Sequence, residues 1–196
     1  MSRREGYALH PKAHKALVKR SSKPGQAPAG KGRIAKASQY SLQLREKQKV
    51  KRLYGLLEKQ FSNLMKEAER REGQAGQNLL ELLELRTDNA IYRAGLAPSR
   101  RAARQLVSHG HFLLNGTRVD IPSIRLKAGD VLIARPRSIQ TEYFKKLDDN
   151  SPAPAEVPGW LKVNRKKFEV SITGLPTRED AEQDINEQLI VEYYSR

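Results

Sequence analysis

The sequence predicts an α+β protein: a helical N-terminal domain with a basic extended arm, plus an inserted small α/β domain of two to three helices on a short twisted sheet. Three observations carry this. An apolar stripe of helical period runs from Val50 to Ala68, Asn115-Gly116 sits between two short apolar runs, and net positive charge is confined to two blocks. The expected boundaries are 1–37 for the arm, 38–85 for the helical domain, joined by 138–196, and 86–137 for the inserted α/β domain.

The 196 residues carry 37 Lys+Arg against 22 Asp+Glu, a net charge of +15. Such a surplus costs self-repulsion in a compact monomer, so a polyanionic partner is expected, nucleic acid before an anionic membrane surface. Residues 1–60 hold 16 basic and 3 acidic side chains; residues 86–146 hold 12 and 4. Segments 61–85 and 147–196 are net acidic, by 2 and 4. A surface charged only for solubility would mix its signs more evenly. Cysteine is absent, which excludes disulfides, thiolate zinc sites, iron–sulfur clusters and cysteine nucleophiles. No run approaches the ~18 apolar residues of a membrane span.

Along the arm, Lys and Arg alternate with His10-Pro11, Lys23-Pro24-Gly25, Pro28, Gly30 and Gly32. Little here builds a core, so the arm should be extended and irregular until a partner orders it. A basic, acid-poor start also matches an organelle transit peptide, but no sustained amphipathic face supports one.

Ser38 is a helix N-cap. Val50, Leu53, Leu57, Phe61, Leu64 and Ala68 then form one helix face, which is core. Arg45, Lys47, Lys49, Lys51 and Arg52 lie on the opposite face, where the core does not need them. Gly73 and Gly76 end the segment. Asn78 starts a second helix, with Glu81 completing a capping box and Leu79, Leu80, Leu82, Leu83 and Leu85 supplying apolar surface.

Arg86, Asp88, Asn89, Tyr92 and Arg93 lead into the turn Gly95-Leu96-Ala97-Pro98. Ser99 caps a short helix from Arg100 to about His109, stopped by Gly110. Arg100, Arg104 and Ser108 share a face, while Ala103, Leu106 and Val107 point inward. Arg100, Arg101 and Arg104 sit at a helix start, where the dipole disfavours cations. Phosphates held jointly by guanidinium groups and free N–H groups explain them better.

Phe112-Leu113-Leu114, Asn115-Gly116 and Thr117-Arg118-Val119 read as a hairpin with a type I′ turn. Lys127-Ala128-Gly129-Asp130 is another turn and Val131 to Ala134 a third strand. Arg118, Arg125, Lys127, Arg135 and Arg137 keep one surface basic. A Pro-rich acidic loop follows from Asp148 to Pro158. Val170 to Thr173 alternates as a strand, and Leu189 to Tyr193 reads as another. The acidic run Glu179 to Asp184 is either a solvated loop or a protein-facing patch.

Catalytic chemistry finds no foothold. His10 and His14 are four apart without a third ligand nearby, so no metal is expected. No GxSxG, GxxxxGK[ST], HExxH or GxGxxG occurs. Asp88, with Arg86 and Arg93 near, reads as a structural ion-pair member rather than a general base. His109 and His111 flank Gly110, either as contacts to a base or phosphate or as a polar pair at a helix end. Neither an enzyme nor a cofactor is expected.

The run Arg86-x-Asp88-Asn89-x-x-Tyr92-Arg93-x-Gly95, Ser99-Arg100-x-x-Ala103-Arg104-Gln105-Leu106-Val107-x-His109-Gly110-His111, Asn115-Gly116, Ile121-Pro122-Ser123 and Gly129-Asp130 resembles the RNA-binding domain named after the fourth protein of the small ribosomal subunit. That domain also occurs in pseudouridine synthases, some aminoacyl-tRNA synthetases and a heat-shock ribosome-binding protein. The flanks Ser2-Arg3-Arg4-Glu5-Gly6, Lys23-Pro24-Gly25-Gln26, Gln43 to Val50 and Ile185 to Ser195 resemble the bacterial-type ribosomal protein family itself, across nearly the whole chain. There are departures: Ala-Pro-Ala-Gly replaces an arginine-rich stretch after Gln26, Thr87 replaces an apolar residue, and Ile124-Arg125 stands where an aromatic is common. Relatives often carry an N-terminal cysteine cluster, which this sequence lacks.

The resemblance implies a structural constituent of the small subunit that binds small-subunit rRNA and nucleates assembly. It further implies a place at the mRNA entry channel, a contact with the fifth small-subunit protein and an influence on decoding accuracy, in a cytoplasmic or organellar ribosome. It places rRNA contacts at Arg3, Arg4, Lys23 and Gln26 in the arm, and at Arg45, Lys47, Lys49, Lys51 and Arg52 on the first helix. In the α/β domain it places them at Arg86, Arg93, Ser99, Arg100, Arg101, Arg104 and Gln105, then at Ser108, His109, His111, Asn115 and Arg118. Glu179, Asp180, Glu187 and Gln188 are the expected protein interface. Alternatives are a free-standing factor that binds ribosomal subunits under stress and a fragment of an RNA-modifying enzyme. Residues 135–196 are too few for a separate catalytic domain.

Overall fold

The structure, a computed structural model, describes residues 1–10, 13–19, 24 and 37–195. The chain forms two compact units, residues 1–76 with 184–196 and residues 77–183. This differs from the expected partition. Most of the C-terminal segment belongs to the α/β unit, and only its last residues join the helical one.

The helical unit starts with α1 (Ser2–Glu5), closed by Gly6 in the left-handed region at φ 65°, and α2 (Ala13–Lys19). The arm is therefore not wholly extended: Ala, Leu and Lys in α2 are strong helix formers. Lys23 and Gln26 lie outside the described residues. Helix α3 (Gln39–Leu53) begins where Ser38 accepts a hydrogen bond from the Ser41 N–H at 3.3 Å. The apolar stripe is not one continuous helix. Gly55, at φ 66°, turns the chain, and α4 (Glu58–Arg70) begins afresh. Leu56 goes into the core, whereas Leu57 at the N-cap is 72% exposed. Val50, Leu53, Phe61, Leu64 and Ala68 are buried as expected.

Helix α5 (Ala75–Glu84) starts ahead of Asn78, so Gly76 is helical and Asn78 lies inside the helix rather than at its start. A side chain at Gly76 would collide with Glu187 Cγ at 2.7 Å, which explains a glycine inside a helix. Residues 189–193 are not a strand but part of α11 (Glu187–Tyr194), which packs on α3. Asn186 caps it by accepting from the Leu189 N–H at 3.4 Å, and Ile190 is its buried residue. β-Branched and aromatic content alone suggested a strand; the cap and one-sided burial produce a helix instead.

The α/β unit contains α6 (Thr87–Arg93), α7 (Arg100–Ser108), β1 (Phe112–Leu114), β2 (Thr117–Val119), β3 (Val131–Ala134), then the single turns α8 (Pro136–Ile139), α9 (Glu142–Lys145) and α10 (Leu147–Asn150), and finally β4 (Leu161–Asn164) and β5 (Glu169–Ile172). The sheet is antiparallel throughout, in the order β2-β1-β3-β5-β4. Strand β5 pairs with β3, Leu132 opposite Val170, which is why residues 138–183 sit here. Without β5, β3 would expose a row of unpaired N–H and C=O groups. Asn115 and Gly116 take φ 49° and 85°, both positive as a type I′ turn requires. Alternation places Phe112, Leu132, Ala134, Val170 and Ile172 against Ile91, Ala103 and Val107. The buried Phe144 ring makes edge contacts with Phe112, Tyr143 and Phe168 at 5.3 to 6.1 Å between centroids.

In the helical unit, the Glu58 carboxylate accepts from Lys47 and Lys51 at 2.6 Å each and from the Tyr194 hydroxyl at 3.1 Å. Partial burial pushes the Glu58 carboxyl up. The hydrogen bonds and then the charges of Lys47 and Lys51 outweigh this and bring it from 4.5 down to about 2. A depressed carboxyl stabilises the fold above its unfolded pKa and loses that contribution as pH falls through the folded one. Urea unfolding of wild type and E58Q should therefore differ by a constant amount above about pH 4.5, the gap closing as pH falls toward 2. A gap of the same size across that window would contradict the pairing.

Candidate nucleic-acid interface

Two buried carboxylates underlie α7. Glu84, 1% exposed at its side chain, accepts from Arg93 Nε at 3.0 Å, Arg93 Nη2 at 2.8 Å and Asn89 Nδ2 at 2.7 Å. Asn89 passes the network on, its Oδ1 accepting from Arg100 Nε at 2.8 Å. Arg100 Nη2 then donates to Glu182 at 3.0 Å, and its guanidinium lies 4.6 Å from the Tyr92 ring centroid. Asp88, 6% exposed at its side chain, takes both arms of Arg86 at 3.1 and 3.0 Å and Arg104 Nε at 2.9 Å. Forked guanidinium groups suit these paired acceptors in a way a lysine could not.

Arg100 and Arg104, two of the three arginines at the start of α7, therefore have an explanation within the fold. Arg100 and Arg104 face carboxylates brought in from α6 and from the loop at Glu182. Ser99 performs its expected role, accepting from the Ala102 N–H at 3.2 Å. Asp88 is the expected ion-pair member through Arg86, although Arg93 turns to Glu84 instead.

What remains on the outside of α7 is Arg101, Gln105, Ser108 and His109, all exposed and one above another on a single face. Among the described residues Arg101, Arg118 and Arg137 have no hydrogen-bond or ion-pair partner. The helix ends at Gly110, with φ 69°. A Cβ there would lie 2.5 Å from Arg118 Nε, so the bare Cα is what lets the Arg118 guanidinium lie against the corner. Arg135 Nη1 donates to the Gly110 carbonyl at 3.0 Å. His111 Nδ1 is 2.9 Å from the Ser138 hydroxyl, its ring 6.0 Å from those of His109 and Phe144. Burial, with the nearby charges of His109 and Arg135, holds the His111 imidazole below its usual pKa.

Arg135 joins this corner although the sequence marked it only as part of a basic surface; its place directly after β3 was the available signal. Glu84 and Glu182 carried no local signal, because their partners become neighbours only on folding. The Asn115 side chain is spent internally, its Oδ1 accepting from the Val131 N–H at 2.9 Å and its Nδ2 donating to Asp130 at 2.8 Å.

In the helical unit the expected contact residues of α3 are all engaged. Arg45 and Arg52 donate to Glu5, whose side chain is fully buried. Lys47 is buried rather than on a free face, its ammonium 4.4 Å from the Tyr193 ring centroid. Lys49 bridges Glu46 at 2.7 Å and the Asp184 carbonyl at 2.7 Å. Arg4 is exposed and Arg3 half-buried. Of the expected protein-facing residues, Glu179 and Gln188 are exposed and Glu187 packs on Gly76. Asp180 accepts from the Thr177 N–H at 2.7 Å and hydroxyl at 2.8 Å. Among the described residues no three His, Asp or Glu side chains gather to hold a metal, and no helix is long and apolar enough to cross a membrane.

Fold and surface define a basic α+β protein that pairs several arginines of its sheet-bearing unit with buried or half-buried carboxylates and leaves others, Arg101 and Arg118 among them, open. Residues 1–84 match the family model "Ribosomal protein S4/S9 N-terminal domain", and residues 85–132 match "S4 domain". The chain is 51% identical over 200 residues to the small ribosomal subunit protein uS4 of Clostridioides difficile, covering 99% of this chain and 94% of that one. Identity to the uS4 proteins of Chloroflexus aurantiacus and Chlorobium phaeovibrioides is 48% and 46%, each over 100% of this chain and 95% of the relative. The chain belongs to the uS4 family of small ribosomal subunit proteins.

Removing one member of a buried ion pair typically costs about 3–5 kcal/mol, whereas an exposed unpaired charge contributes under about 0.5 kcal/mol. Denaturant titration should therefore find Glu84→Ala and Asp88→Ala destabilised by several kcal/mol and Arg101→Ala close to wild type. Equal stabilities for all three would remove the network from its structural role.

Proposed function

We propose that this chain is a structural, rRNA-binding constituent of the small ribosomal subunit. It meets rRNA through the outer face of α7 and the Gly110 corner. The observation that carries this reading is the set of unpartnered arginines, Arg101 and Arg118 foremost, in a domain where Arg86, Arg93, Arg100 and Arg104 are neutralised by Glu84, Asp88 and Glu182. Exposed guanidinium groups that the fold does not use are suited to phosphates, which position an RNA without reading its sequence. With 6% aromatic residues the chain lacks the stacking platforms of a single-strand reader, and folded RNA is recognised mainly by shape and backbone.

Within that role the chain nucleates assembly of the subunit of cytoplasmic ribosomes. It also borders the mRNA entry region and touches neighbouring proteins, the fifth among them, with an effect on decoding accuracy. Full-length kinship with uS4 proteins supports these finer roles and does not favour a stress factor or an enzyme fragment. Exposed Glu179 in the α/β unit and Gln188 in the helical unit are offered to protein neighbours, and exposed Arg4 in the helical unit to RNA.

Neutralising ~8 phosphates would make log affinity for small-subunit rRNA fall with log salt at a slope of roughly −6 to −7. In filter binding, Arg101→Ala and Arg118→Ala should each weaken binding and reduce the slope by about one, with melting temperatures unchanged. Affinity independent of salt, or a chain that fails to cosediment with purified small subunits, would overturn the proposal.

A further inference from the structure

The corner at the end of α7 gathers more positive and chargeable groups than its fold requires. Arg118 lies against Gly110 without a partner, Arg135 donates one N–H to the Gly110 carbonyl, and two imidazoles flank the same glycine. No carboxylate among the described residues pairs with this group, in contrast to the acids that meet Arg86, Arg93, Arg100 and Arg104. The hydrogen bond with Ser138 and the edge contact with Phe144 fix the His111 ring and leave Nε2 unused. The titratable and charged groups beside it are His109 and Arg135, and both disfavour a His111 imidazolium.

Building on the RNA-binding reading, we propose that His109, His111, Arg118 and Arg135 form one site for a backbone phosphate of RNA, and that filling it takes up a proton. The two arginines supply fixed charge and the imidazoles supply charge that the anion itself induces. In the free protein His111 is neutral at neutral pH, because burial, with His109 and Arg135 beside it, opposes its protonation. A phosphodiester anion among these groups reverses the balance, since an opposite charge at close range favours the imidazolium. Proton uptake on binding means tighter binding at lower pH, by at most about tenfold per pH unit for each proton taken up.

The experiment is retention of a small-subunit rRNA transcript by the full chain at pH 6.0 and 7.5, at constant ionic strength. Wild type should bind several-fold tighter at pH 6.0. His111→Gln should lose most of that gain, and His109→Gln, altered at an exposed position, should lose part of it. Arg118→Ala should weaken binding at both pH values and keep the gain. Melting curves at both pH values confirm that each variant is folded. The same pH dependence in wild type and both histidine variants would overturn the proton coupling while rRNA binding stood. No rRNA binding by wild type at either pH would instead overturn the RNA-binding reading. Competition by millimolar inorganic phosphate at matched ionic strength would make free phosphate the ligand and overturn the assignment to an RNA backbone.

Discussion

Everything on the α7 side of the sheet depends on two carboxylates buried beneath it. Glu84 and Asp88 are out of contact with water and would be prohibitively costly there as isolated charges. Three arginines and one asparagine satisfy them, and that arrangement sets the positions of α6 and α7. Arg93 and Asn89 tie the end of α5 to α6, Arg86 and Arg104 clasp Asp88 from two directions, and Arg100 reaches out to Glu182. Such a network adds little net stability over a well-packed apolar core, but it tolerates no missing partner. It fixes one geometry for the helix that carries the candidate interface.

The count of 37 Lys+Arg therefore overstates what is open to a partner. In the helical unit Glu5 takes Arg45 and Arg52, and Glu58 takes Lys47 and Lys51. In the α/β unit Glu84, Asp88 and Glu182 take four arginines. Arg101 and Arg118 are among the charges left unspent, and a local concentration of unneutralised guanidinium groups is what gives a basic protein a docking side. Arg101, His109, Arg118 and Arg135 owe their placement to rigid neighbours: an N-capped helix, a glycine corner and a five-stranded sheet. Contacts set on such elements hold their geometry better than contacts on loops.

Features governed by adjacent residues were legible in the sequence. Ser38 and Ser99 as caps, Gly110 as a helix stop and Asn115-Gly116 as a hairpin turn all rest on interactions within four residues. Features that depend on distant partners were not. The pairing of β5 with β3 moved most of the C-terminal segment into the α/β unit. Leu57 has the right spacing for the core but falls on the far side of a turn made by Gly55. Leu189 to Tyr193 has the composition of a strand, yet Asn186 and the buried face of Ile190 make it helical. Among the candidate contacts, Arg100 and Arg101 are indistinguishable by type and neighbourhood. Glu182, 82 residues from Arg100, is what separates them.

The central claim is that the fold divides its arginines into those that hold it together and those free to meet RNA. Reactivity toward a guanidinium-specific dicarbonyl reagent, read residue by residue by mass spectrometry, tests that division in the free protein and in assembled small subunits. Arg101, Arg118 and Arg137 should react fast in the free protein and Arg86, Arg93, Arg100 and Arg104 slowly, with Arg101 and Arg118 becoming protected on assembly. Uniform reactivity in the free protein, or Arg101 and Arg118 still reactive in the subunit, would contradict it.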